Sequence, residues 1–267
     1  QLIREFGLAD FAEFLVPAVR PVSYLVVAEH GSGLSRFAGD PDLPVGTRWP
    51  TDPDAKPLTF VLQVDLSHVR HGPLPRDGLF PLFVGDDQPA ADVPTRILLL
   101  PGDANLVRTP APDVPESETF EDVRPSALQV VPGFDLPRWA THDNQMLTDS
   151  MDQAQEDAYD EVLRSLRPHH RPILGRLFGH AAGVGHDPRQ DAHIVRDVDP
   201  LLLYDPDARA AMDLVTPAKQ WQHLVTVNSC AAVDLTIWDD GYLQVLIKQD
   251  DVTEHRFDHT YAAVESS

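Results

Sequence analysis

His68 and His71 stand as H-x-x-H, His255 and His259 as H-x-x-x-H, and His180, His186 and His193 punctuate the run GHAAGVGHDPRQDAH. Imidazoles three or four residues apart share one face of a helix, which would let two ring nitrogens reach one divalent cation. A metal centre also needs further converging ligands and a supporting shell, and no H-E-x-x-H is present. The expectation is scattered histidines, with no metal and no cofactor. The acidic pairs Asp86/Asp87, Asp239/Asp240 and Asp250/Asp251 resemble catalytic carboxylates, but each sits beside a turn or at a strand end. Aspartate there bonds its own backbone, so turn chemistry is the expected role. Cys230 lies between two apolar runs and reads as a buried thiol rather than a nucleophile. The Gly-rich run GSGLSRFAG (31–39) has no following lysine and leads into DPDLP, which resists helix formation, so it does not read as a phosphate loop. No G-x-S-x-G elbow occurs.

The stretch LSRFAGDPDLPVGTRWP (34–50) concentrates special residues. Pro41, Pro44 and Pro50 fix an extended path, Gly39 and Gly46 permit sharp turns, and Phe37 and Trp49 offer apolar anchors. Arg36 is expected to pair with Asp40, Asp42 or Asp65. Two readings stand side by side: a rigid loop that delivers the chain to the next strand, or a pocket. In the pocket reading, the ligand- or partner-binding residues are Arg36, Trp49, Gln63, Asp65, Asp239 and Asp240.

Residues 34–66, LSRFAGDPDLPVGTRWPTDPDAKPLTFVLQVDL, resemble the signature of the YwqG-like family of bacterial proteins. Ser35, Arg36, Phe37, Gly39, Pro41, Leu43, Pro44, Gly46, Trp49 and Pro50 carry its first half. Pro57, Leu58, Phe60, Leu62, Gln63, Asp65 and Leu66 carry the second. LPRDGLFPLFV, which follows, and the C-terminal stretch 223–265 are similar to later elements of the same family. Ala38 and Asp239 replace glycines of its pattern, and RLFGHAAGVGHDPRQ departs from its middle loop. The resemblance implies an α+β fold of the YwqG type and supplies no catalytic residues.

Short strands are expected at 22–29, 58–66, 78–84, 95–101, 223–229, 233–238 and 242–248, where leucine, aromatic and β-branched residues are bounded by Gly, Pro and Asp. Asp239-Asp240-Gly241 would make a tight hairpin between the last two, with Gly241 at positive φ. Helices are expected at 8–16, at 205–214 and above all at 149–167. There Met151, Ala154, Ala158, Val162 and Leu166 recur at helical spacing, with Thr148, Asp149 or Ser150 as the cap. Residues 109–119 read as a Pro-rich acidic connector. The predicted class is α+β, mainly antiparallel sheet with a few helices, in one domain over 1–267 whose packed halves would divide near 137–150.

Lys and Arg number 21 against 42 Asp and Glu, a formal charge of -21. Such a surface repels nucleic acid and anionic membranes and suits a basic protein partner. The single cysteine excludes an intrachain disulfide and a cysteine zinc cluster, and fits a reducing, cytoplasmic setting. No run approaches the roughly 18 apolar residues of a membrane span, and the N-terminal stretch reads as no signal peptide. The functional expectation is a non-catalytic binding or interaction protein, for example immunity-like and bound to a basic partner. The alternative is a hydrolase or transferase using His and Asp in a cleft between the two signature motifs, and a small-molecule ligand fits either reading.

Overall fold

The computed structural model describes residues 1–29, 33–88, 90–112, 118–120, 122–169 and 171–266. Residues 31–32 of the Gly-rich run and 113–117 of the expected connector lie outside these.

Twelve strands occur among the described residues: β1 (Arg20–Val27), β2 (Arg36–Phe37), β3 (Asp42–Pro44), β4 (Thr59–Asp65), β5 (Leu79–Val84), β6 (Thr95–Ile97), β7 (Leu106–Arg108), β8 (Ser126–Asp135), β9 (Ile173–Phe178), β10 (Trp221–Asn228), β11 (Tyr242–Lys248) and β12 (Tyr261–Glu265). Ten of them form one sheet in the order β12-β11-β10-β9-β1-β8-β2-β4-β5-β6, and β3 and β7 form a separate ladder. Each pairing of named strands is antiparallel. The two ends of the sheet then approach each other. Val93 N–H donates to the Ala262 carbonyl (2.9 Å), Val264 N–H donates to Ala90 (2.8 Å), and Ala91 bridges Ala263. The segment leading into β6 therefore pairs with β12, and the sheet becomes a nearly closed barrel.

That closure corrects the α+β expectation. The antiparallel strands and short helices are present, but they do not make a sheet with helices segregated to one side. The architecture is a barrel-like ten-stranded sheet whose interior is the main core. A closed ring leaves few unpaired strand edges, and that constraint outweighs the local helix signals in setting the class. Leu25, Phe37, Leu62, Val64, Phe80, Leu82, Val225, Val227, Leu243, Val245, Ala262 and Val264 fill the interior. Burying each such Val, Leu or Phe side chain contributes about 1.5–3 kcal/mol.

The helices are α1 (Leu2–Glu5), α2 (Ala12–Ala18), α3 (His142–Thr148), α4 (Gln153–Ser165), α5 (Pro188–His193), α6 (Pro206–Ala210), α7 (Val215–Ala218) and α8 (Gln249–Thr253). The strong 149–167 signal resolves into α4 alone. Thr148 belongs to α3 and Asp149 closes it, so the cap moves to Asp152. Asp152 Oδ1 accepts from Gln155 N–H and Gln155 Oε1 accepts from Asp152 N–H, both at 2.9 Å. This capping box stabilises the helix by about 1 kcal/mol. Tyr159 and Val162 turn inward from α4 to meet Leu8, Leu15, Leu136 and Leu147, a second core on the outside of the sheet.

The expected strand at 233–238 and its hairpin are also corrected. Residues 231–233 form a 3-10 turn, and β10 itself pairs with β11. Asp240, at φ 61°, takes the left-handed turn position expected of Gly241. Gly241 is needed for a different reason: a Cβ there would lie 2.2 Å from the Glu265 carbonyl oxygen.

Candidate functional site

Arg36 and Gln63, on adjacent positions of β2 and β4, gather around one carboxylate, Asp42. Arg36 Nη2 lies 2.5 Å from Asp42 Oδ2, and Arg108 Nε donates to Asp42 Oδ1 at 3.0 Å. Gln63 donates to Asp42 Oδ2 (2.9 Å) and accepts from the Asp42 N–H (2.8 Å). These bonds more than offset the burial that would otherwise raise the Asp42 carboxyl, so its pKa is lowered. Trp49 donates its indole N–H to the Leu58 carbonyl (2.8 Å) and meets Phe83 edge-on. Asp65 caps the 3-10 turn 66–68 through Ser67 and lies 3.4 Å from His68. Asp239 and Asp240 lie exposed in the turn before β11, a strand on the opposite side of the ring from β4. The structure thus brings Arg36 and Gln63 together, ties Trp49 and Asp65 to neighbouring backbone, and leaves Asp239 and Asp240 apart.

A larger cluster forms on the outside of the sheet. Antiparallel register aligns Tyr24 with Arg176, Arg176 with Thr226, and Thr226 with Gln244. A polar row therefore crosses four strands. Asp135, at the end of β8 and 1% exposed, is its anchor. Asp135 Oδ2 accepts from Arg176 Nη1 and Arg138 Nε, both 3.2 Å, and from His180 N–H at 2.8 Å. Arg138 Nη2 reaches Asp135 Oδ1 at 2.7 Å as an ion pair. Burial alone would raise the Asp135 carboxyl, but Arg176 and Arg138 hold it far below the usual carboxylate range. Burial also pulls the Arg176 guanidinium down to about 10, with Arg138 adding to the effect and Asp135 opposing it. For Arg138 the balance reverses: Asp135 outweighs burial, and the guanidinium is raised.

The chain turns sharply at this point. Phe178 has φ 61°, rare for a bulky residue. That turn aims its carbonyl at Arg176 Nη1 (3.0 Å) and His223 Nδ1 (2.7 Å). Burial and the adjacent Arg176 push His223 well below its ordinary value, so the ring is neutral and donates from Nδ1. The following loop, 179–187, is stitched to the outer sheet face. Gln244 clamps Ala182 with two bonds, at 3.0 and 2.8 Å, and Val184 N–H donates to Glu265 at 3.0 Å.

Between this loop and α4 lies a cleft of about 600 Å³. Arg138, Arg176, Thr226, Asn228 and Tyr242 form its floor, and Ala182–Val184 form one wall. Glu156, Asp157 and Asp160 of α4 form the other wall, and Arg167 and Trp139 also line the cleft. Trp139 is 69% exposed. Arg138 Nη1, the Arg167 guanidinium and the Tyr242 hydroxyl have no hydrogen-bond partner among the described residues. Burial pushes the Tyr159 and Tyr242 hydroxyls up, so both keep their protons at neutral pH. The floor offers fixed N–H and O–H donors, and the rim offers carboxylates.

Residues 35–265 match a family described as a domain of unknown function, DUF1963. The chain belongs to that family. No curated protein matches the chain. The matched span contains β2 to β12, the Asp42 cluster and the whole cleft lining, while β1, which supplies Tyr24, precedes it.

Among the described residues no three His, Cys, Asp or Glu side chains are placed to hold a metal ion. Sequence reasoning missed Asp135, Arg138 and Arg176. The signal was a charge inside an apolar strand: Arg176 in ILGRLF, and Asp135 closing the run before LPRW. Such a charge must find a buried partner, but the sequence does not say which.

Proposed function

We propose that this protein is a non-catalytic binding protein that takes up a small molecule bearing a carboxylate or phosphate group in the cleft between α4 and the 179–187 loop. The carrying observation is Arg138, a buried guanidinium fixed on one side by Asp135 with Nη1 left without a hydrogen-bond partner among the described residues. An anionic group can accept from this preorganised donor, from Tyr242 and from Arg167, and such charge-assisted bonds are the strong ones. Trp139 supplies an aromatic face for the ligand's body, and the α4 carboxylates suit a cationic or hydroxylated far end. Binding rather than turnover is favoured because the groups on the floor are held in single protonation states at neutral pH. The YwqG-like resemblance of residues 34–66 belongs to this reading as scaffold: Arg36, Trp49, Gln63 and Asp65 spend their bonds on the fold. A reducing cytoplasmic setting fits the single, buried Cys230.

Isothermal titration with benzoate, phenyl phosphate and the neutral benzamide tests it. The anions are expected to bind, benzamide to bind at least about tenfold more weakly, and Arg167→Gln with Tyr242→Phe to weaken the anions together. Equal binding of benzamide, or no effect of the double substitution, would overturn the proposal.

A specific feature favours a second reading. Asp152, Asp157, Asp160 and Glu161 are exposed on α4 and its cap, an acidic face suited to a basic protein partner of the immunity type. Capture of one stoichiometric basic protein, lost when these four are changed to their amides, supports it; capture unaffected by the change refutes it.

A further inference from the structure

On the far side of the 179–187 loop from the Arg138 cleft lies a separate cavity of about 400 Å³. Its walls are mainly apolar, built by Ala90, Ala91, Leu203, Ala263 and Val264, with Tyr204 and Tyr261 as aromatic members. Three ionisable side chains at this cavity already pair with one another. Asp191 Oδ2 meets His186 Nε2 at 2.6 Å, and Asp191 Oδ1 lies 2.7 Å from Arg209 Nη1. The fourth, Glu265, does not share in this. It is 6% exposed, and Oε2 accepts one bond from Val184 N–H at 3.0 Å. Oε1 has no hydrogen-bond partner, and no Lys or Arg pairs with the carboxylate, among the described residues. A largely buried carboxylate with no Lys or Arg beside it, and only His186 as a nearby positive group, is costly.

We propose that this cavity is a recognition site for a primary alkylammonium group, with Glu265 Oε1 as its anionic acceptor and the Tyr261 and Tyr204 rings beside its alkyl portion. An ammonium supplies the missing charge and donors, an alkyl chain fits the alanine- and leucine-lined walls, and a cation gains further from aromatic faces. The same chemistry is offered by a free amine and by a lysine side chain. Neighbouring groups set the pH dependence. Burial raises the Glu265 carboxyl to about 7, with Asp191 adding to this while His186 and the Val184 N–H oppose it. The hydrogen bond to Asp191 raises His186. Arg209 stays paired with Asp191, and Tyr242 and Tyr261 are pushed up and remain neutral. As pH falls below 7, Glu265 loses its charge, and that change disfavours a cation.

The test is NMR titration of the full chain with n-butylammonium, with 1-butanol as the neutral isostere and Nα-acetyl-lysine methylamide as the side-chain mimic. Butylammonium is expected to bind at pH 8 and to bind about tenfold more weakly at pH 6, the loss set by protonation of one carboxyl near 7. Butanol should bind at least tenfold more weakly at pH 8. Glu265→Gln should remove the pH dependence and most of the affinity, its amide oxygen still accepting from Val184. Ala263→Leu keeps the carboxylate but fills the cavity and should abolish binding, so a folding defect in one variant leaves the other decisive. Tighter binding of the lysine mimic assigns the site to a side chain, and tighter binding of butylammonium assigns it to a free amine. Equal binding of butanol, pH-independent binding of butylammonium, or absence of butylammonium binding at pH 8 overturns the proposal.

Discussion

Substitution of Asp135 by Asn removes the carboxylate that holds both Arg138 and Arg176. Asp135 and Arg176 are almost wholly buried and Arg138 nearly so, so solvent cannot replace the lost charge. Breaking a buried ion pair from one side costs about 3–5 kcal/mol, a large share of the roughly 5–15 kcal/mol that stabilises a typical domain. Arg138→Met should cost less than half as much, because Asp135 keeps Arg176 and the His180 N–H. The double variant should lose less than the sum of the two, since removing Arg138 relieves part of the unpaired charge. Urea unfolding followed by tryptophan fluorescence reads these as shifts in midpoint at constant slope. The acid limb gives a second readout. The folded pKa of Asp135 lies below its unfolded value, which is near 3.9. Its stabilisation is therefore complete above about pH 4 and is lost as pH falls from there toward the folded value. Asp135→Asn should flatten that limb. A loss under about 1 kcal/mol at pH 7, or an Arg138→Met loss equal to that of Asp135→Asn, refutes the anchoring role.

His180 is held to about 4 by burial and by Arg20; from an unfolded value near 6.5, the fold should lose on the order of 3 kcal/mol between pH 6.5 and 4, and His180→Gln should remove that slope. Trp139→Ala should leave stability within about 0.5 kcal/mol, as an exposed side chain does, while weakening phenyl phosphate about three- to tenfold; unchanged titration would separate Trp139 from the ligand. At Gly78, φ is +100° and a Cβ would lie 2.1 Å from the Leu100 carbonyl oxygen, so Gly78→Ala should lower the urea midpoint by more than about 1 kcal/mol equivalent. Cys230 is buried and should react with Ellman's reagent only after denaturant is added; rapid reaction of the native protein would contradict its placement.

Strands were legible where each stood on its own pattern. The expectations over 22–29, 58–66, 78–84, 223–229 and 242–248 fall on β1, β4, β5, β10 and β11 with ends displaced by at most two residues. β8 and β9 escaped because Pro132, Gly133, Gly175 and Arg176 interrupt the pattern, and β12 because two alanines weaken the short run YAAVE; their ladders with neighbouring strands supply what local propensity lacks. VDLTIW failed for the opposite reason: its apolar residues Leu235 and Ile237 are buried core, but they arrive through a turn rather than a ladder. The partner of Arg36 was within reach, since Asp42 was among the three candidates named. The Arg138 cleft was not, because its residues come from the turn after β8, from α3, α4, β9, β10 and β11 and from the 179–187 loop, and meet only in the folded chain.

Closure of the ring has a consequence for how the chain reaches this state. Thr95 and Thr260 stand 3.3 Å apart yet 165 residues apart in sequence, and the strand that completes the ring is the last among the described residues, Tyr261–Glu265. Non-local pairings of this kind slow folding, because loop entropy must be lost before the contact is gained. During synthesis the earlier strands must wait with the edges at β6 and β11 unpaired, and such edges are the ones that aggregate. Deletion of Tyr261–Glu265 should therefore reduce soluble yield far more than the small area of β12 suggests, and the hour of greatest hazard for this protein is the moment just before β12 arrives.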